Sequence, residues 1–125
     1  MAAALLELAA RRSGENGLSS HAFSLRTAAV PLAEADARAY AAVLRSRGDE
    51  RRSALSRASD VLREIGAAAT AVEEAASPFV ERAKPALRGE AVAAVELARA
   101  ARRVSERLIM INLAGKDGGG PSPAG

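Results

Sequence analysis

Asp36 and Tyr40 stand four residues apart in LAEADARAYAAVL, residues 32–44, so on a helix they share one face and can touch the same ligand. Asp36 borders the apolar residues of its segment rather than lying opposite them, a margin at which a carboxylate is placed for proton transfer. An ordinary structural role serves as well: Asp36 pairing with Arg38 or a neighbouring helix, and Tyr40, the only tyrosine, filling a bundle edge. A second cluster lies in KPALRGEA, residues 84–91. There Pro85 stiffens the chain and Gly89 can take backbone angles denied to other residues. Glu90 falls in the first turn of the next helix, where a carboxylate meets the positive end of the helix dipole. Arg88 has no such structural reason on a loop and is a candidate for an anionic ligand. Asn112, late in an apolar helix, is a polar group that needs a partner if buried. His21 has no partner pattern around it and reads as a surface or capping residue.

Composition removes several classes of chemistry. The absence of cysteine excludes disulfides, thiolate zinc sites and cysteine nucleophiles. A single histidine excludes His-rich metal sites, so no metal is expected. The tail glycines match neither a phosphate-binding loop nor a dinucleotide fingerprint. A net charge of +3 invites a nucleic-acid reading, but the charges are interleaved and only 2% of residues are aromatic, so no nucleic-acid partner is expected. MAAALLELAARR lacks a leading basic segment and a long apolar run, so neither a signal peptide nor a membrane span is expected and the cytoplasm is the expected location.

The elements that must position these residues are helices. Half of the 125 residues are hydrophobic and alanine dominates them, which suits helices packed closely through small side chains. A first helix is expected from Ala2 to about Arg12, ending in SGENG. The next starts after Ser19 and Ser20, and Pro31 either kinks it or opens a new one. Asp49 caps a long helix with weak points at Gly66 and at Ser77-Pro78, followed by a short helix over residues 79–83. In the last helix Ala94, Leu97, Ala101, Val104, Leu108 and Ile111 step by threes and fours as the core stripe, with Arg99, Arg103 and Glu106 on the polar side. The expected architecture is an all-α antiparallel bundle of four or five helices over residues 1–115, with a disordered Gly/Pro tail over 116–125. Its alanine-rich core buries little area per helix, and a homodimer is expected to make up the deficit.

LAEADARAYAAVL, KPALRGEA and RLIMINLAG (107–115) together resemble the cyclodeaminase/cyclohydrolase family, the fold of the C-terminal half of formiminotransferase-cyclodeaminase and of bacterial methenyltetrahydrofolate cyclohydrolases. Asp36, Ala39 and Tyr40 match the family's Asp-x-x-Ala-Phe/Tyr block, and Ile111-Asn112-Leu113 its closing motif. In the loop Pro85 and Gly89 match, Lys84 and Ala86 stand where asparagine is usual, and Glu90 replaces aspartate. Members open with a Pro-Gly-Gly-Gly-Ser segment, and MAAALLELAARRS resembles the later part of the helix that follows it. The resemblance implies an all-helical homodimer acting on one-carbon-substituted tetrahydrofolate, with no tightly bound cofactor. It implies Asp36 as the acid/base and Glu90 as a second catalytic carboxylate. Tyr40 would line the pterin pocket, Arg88 would face the glutamate carboxylates of the substrate, and Asn112 would belong to the binding site. A scaffold that keeps the fold without the chemistry is the alternative.

Overall fold

A computed structural model describes residues 1–117 as α1 (Ala2–Arg12), α2 (Asn16–Arg45), α3 (Gly48–Arg82) and α4 (Pro85–Asp117). Among the described residues there is no strand. The connections are two or three residues long, which forces successive helices to run antiparallel. After α1 the chain reverses in a Schellman motif. Gly14, at φ +73°, donates to the Arg11 carbonyl and Glu15 to that of Ala10. Gly48, at φ +58°, opens α3.

Several expected boundaries move. Asn16 begins α2 ahead of both serines, and the Ser19 amide donates to Glu15 O at 2.9 Å. Pro31 lies inside α2 and Pro78 inside α3, so residues 79–82 are the end of α3 rather than a separate helix. Each proline withdraws one backbone donor, a loss that packing of the flanking turns outweighs. The KPALRG stretch is a helix start: Lys84 O accepts from Leu87 N at 2.8 Å and Arg88 N at 3.0 Å. Pro85 is the first helical residue, a position where its missing donor costs nothing. At the far end α4 runs two residues past Gly115 to Asp117, and the rest of the expected disordered tail lies outside the described residues.

Three long helices, of 30, 35 and 33 residues, form the body. α3 is central and packs against α2 and α4, which do not touch one another. α1, only 11 residues long, lies across the same side of all three at one end. An isolated helix of that length is marginal in water, so α1 depends on what it buries. Its Leu6 is fully buried and shares one core with Phe79 of α3, also fully buried, and with Ala9, Ala22, Ala76, Ala91 and Ala94. Small side chains let these helices approach closely: a Cβ added at Gly66 of α3 would lie 3.7 Å from that of Ser105 in α4. A second, smaller core of Val43, Ala54, Leu55 and Ala58 joins α2 to α3 at the opposite end.

The stripe expected to be the core of α4 is where the fold departs most from expectation. Ala94 is buried, but Leu97, Val104, Leu108 and Ile111 are exposed, and α4 instead buries Ala91, Val95, Ala98 and Ser105 against its neighbours. Arg99, expected on the polar side, is half-buried on Glu73 of α3.

Candidate functional site

Asp36 and Tyr40 are carried one turn apart on α2, near the end of the bundle that α1 does not cover. The neighbouring Ala39 and Ala42 pack on Val43, Ala54 and Ala58, which fixes that level. Asp36 is half-buried and, among the described residues, has neither a hydrogen bond nor an ion pair, while Arg38 has turned to Glu34 at 3.4 Å. The ion pair that would have given Asp36 an ordinary role is therefore not formed. Tyr40 is 64% exposed, so its ring does not fill the bundle edge. Asn112 is half-buried on the α3-facing line of α4, seven residues beyond Ser105 and close to the level of Leu55, which Gly115 approaches.

Arg88 and Glu90 sit at the other end. Arg88 Nη2 donates to the Ala83 carbonyl at 3.3 Å, closing the end of α3. Glu90 Oε1 accepts from Arg12 Nη1 at 3.1 Å, tying α4 to the last turn of α1, while its Oε2 is buried without a partner. From the Phe79 level, near the start of α4, to the Ala58 level, against which Ala39 of α2 packs one turn from Asp36, is 21 residues of α3, about 31 Å. Asp36 and Asn112 thus share one end of the molecule, and Arg88 and Glu90 share the other. His21 is exposed on a shallow groove of about 630 Å³ with Gly17, Leu18, Glu74, Pro78 and Arg82. Among the described residues no three His, Asp or Glu side chains are grouped as metal ligands, and no helix is long and apolar enough to cross a membrane.

The strongest electrostatic features are ones that sequence reasoning did not single out. Glu7, almost buried, accepts from Arg26 Nε and Arg11 Nη2, each at 2.7 Å. The hydrogen bond from Arg26, with the charges of Arg26 and Arg11, holds its carboxyl below the ordinary range against desolvation. Glu73 accepts from Arg99 at 2.7 Å and Arg102 at 3.3 Å, and the Arg99 bond leads the same lowering. These networks fasten α1 to α2 and α3 to α4. Only the Glu7–Arg11 spacing of four was a local signal; the other partners are 19 to 29 residues away.

Arg26 and Glu90, the two anchors of α1, also mark where α1's side of the bundle continues. Seven and fourteen residues beyond Arg26 are Ala33 and Tyr40; seven, fourteen and twenty-one beyond Glu90 are Leu97, Val104 and Ile111. Steps of seven stay on nearly one line of a helix. Past α1, that side of α2 and α4 is therefore lined by Tyr40, Leu44, Val104, Leu108 and Ile111, between 40% and 64% exposed. Asp36 lies at the inner margin of this apolar surface.

Searches against family models, curated protein sequences and solved structures returned no significant match.

Proposed function

We propose that this chain is a subunit of a folate-dependent one-carbon enzyme, a methenyltetrahydrofolate cyclohydrolase or a formiminotetrahydrofolate cyclodeaminase, in which Asp36 is the acid/base. Three sequence blocks support the reading by resemblance. The observation that carries it is the Asp36 carboxylate, half-buried, unpaired among the described residues and one turn from Tyr40. In the cyclohydrolase reaction water adds to the methenyl carbon between two nitrogens. Asp36 takes a proton from that water and returns one to the nitrogen released as the ring opens to 10-formyltetrahydrofolate. The cyclodeaminase reaction closes the same ring as ammonia leaves, with the carboxylate protonating the departing amine. Tyr40 offers an aromatic face to the pterin, and Asn112, half-buried on α4, is a further polar group in this part of the bundle.

Glu90 and Arg88 take no part in that chemistry in this reading, because each is committed to a structural contact about 31 Å from Asp36. The test is loss of the near-ultraviolet absorbance of methenyltetrahydrofolate on mixing with the protein. Acceleration over buffer that disappears in Asp36→Asn, with helicity unchanged, is the expected result. No acceleration by the folded wild-type chain would sink the enzymatic reading.

The structural commitments of Glu90 and Arg88 favour a second reading, a non-catalytic helical homodimer that keeps the scaffold alone. Calorimetric titration with tetrahydrofolate separates the two: absence of binding heat supports the scaffold.

A further inference from the structure

The chain's excess positive charge is confined to one place. Residues 45–57 hold Arg45, Arg47, Arg51, Arg52 and Arg57 against Asp49 and Glu50, which accounts for the whole net charge of +3. Elsewhere basic and acidic residues balance one for one. The fold carries that stretch to one tip of the molecule, made of the end of α2, the turn Ser46-Arg47 and the start of α3, opposite the end that α1 covers. All five arginines are exposed there.

Internal pairing does not account for them. Away from the tip, Arg12, Arg26, Arg82, Arg99 and Arg102 each bind a carboxylate distant in the chain and so hold elements together. At the tip, Arg51 donates one bond to the Val43 carbonyl at 3.2 Å, and Arg52 comes only within 3.9 Å of Asp49. Arg45, Arg47 and Arg57 have neither hydrogen bond nor ion pair among the described residues. Helix electrostatics favours Arg45 alone, in the last turn of α2. Arg47 precedes α3, and Arg51 and Arg52 follow close behind its start, at the positive end of the dipole where a cation is disfavoured. Five guanidiniums are thus gathered against their mutual repulsion where folding gives no return, and an anionic partner supplies the compensation.

Nucleic acid and an anionic bilayer both present dense negative charge to such a tip. Neighbouring apolar side chains decide between them. Leu44, 63% exposed, immediately precedes Arg45, and the approach of Gly115 to Leu55 brings Leu113 of α4, 41% exposed, to the same end. A phosphate backbone has nothing with which to cover them, whereas a bilayer has acidic headgroups outside and hydrocarbon beneath. We propose that the α2–α3 turn docks this protein peripherally on a membrane surface that bears anionic lipid. The five arginines meet the headgroups and Leu44 reaches the acyl boundary. This inference does not rest on the folate reading.

Flotation of the full chain with lipid vesicles tests it. In low salt the protein should float with vesicles of phosphatidylcholine and phosphatidylserine and stay behind with phosphatidylcholine alone. Salt approaching about 1 M, where the screening length is about 3 Å, should release it. Each arginine near a charged surface contributes about fivefold to partitioning, so Arg45→Gln with Arg47→Gln should weaken binding about 25-fold. Neither side chain supports an internal contact, and helical circular dichroism should be unchanged. Lys84→Gln with Arg103→Gln removes as much charge from exposed positions away from the tip, and should weaken binding less than about twofold. Failure of the wild-type chain to float in low salt overturns the proposal, as does an equal loss in the two double variants. Duplex DNA that displaces the vesicles, and binds Leu44→Ser as tightly as wild type, would overturn it in favour of nucleic acid.

Discussion

Arg12 and Glu90, 78 residues apart, meet at 3.1 Å and join the last turn of α1 to the second turn of α4. The contact gives the acid of the KPALRGEA stretch a structural task. Both side chains are partly exposed, so the pair contributes about 0.2–1 kcal/mol. Glu90→Gln should lower the thermal midpoint slightly and leave any folate turnover at the wild-type rate. A loss of turnover out of proportion to the loss of stability would return Glu90 to the chemistry.

Acid should release two other fastenings. Glu7 and Glu73 are held below the ordinary glutamate value of 4.5, chiefly by hydrogen bonds from Arg26 and Arg99 respectively. The unfolded chain then binds more protons than the folded one as pH falls below that value, so stability rises with pH in this window. The contribution is complete above about pH 4.5 and is lost as pH falls through the lower, folded values. Urea midpoints measured from pH 7 to pH 3 should fall at the acid end, and Glu7→Gln together with Glu73→Gln should flatten the fall. An unchanged slope in the double variant would show that other carboxylates govern it.

Phe79 is the largest fully buried side chain and belongs to the core to which all four helices contribute. Its truncation leaves a cavity that surrounding alanines are too small to fill. Phe79→Ala should cost about 3–5 kcal/mol, a large fraction of the margin of an ordinary domain. Chemical denaturation reads the loss, and α1 should become the first segment to exchange its amide hydrogens.

How much of this was legible beforehand depends on the range of the interaction concerned. Helices were written locally: steps of three and four recur throughout, and nothing alternates with the period of a strand. Pro78 misled, and Pro31 left two alternatives open, because a proline states its local cost while the packing that overrides it is long-range. The α4 stripe was read correctly as a line and wrongly as the core. Leu97, Val104, Leu108 and Ile111 are its largest side chains, but close approach of α3 selects Ala91, Ala94, Ala98 and Ser105 instead. Asp36 and Tyr40 could be paired from spacing alone. That Glu90 lies about 31 Å away follows only from the order in which antiparallel helices stack.

Gly66 offers the cleanest test of that close packing. It was expected to be a weak point of the long helix, and α3 runs through it without interruption. Its backbone is helical and its φ is not positive, so alanine is conformationally acceptable there. An added Cβ would meet Ser105 Cβ at 3.7 Å, an ordinary van der Waals contact. Gly66→Ala should therefore stabilise the protein by about 0.5–1 kcal/mol, the cost of glycine within a helix. Gly66→Leu should do the reverse, because its longer side chain has to enter the α3–α4 contact that Ser105 already fills. Paired urea unfolding curves decide the matter, and a destabilised alanine variant would mean that α3 and α4 lie closer than 3.7 Å between these positions allows.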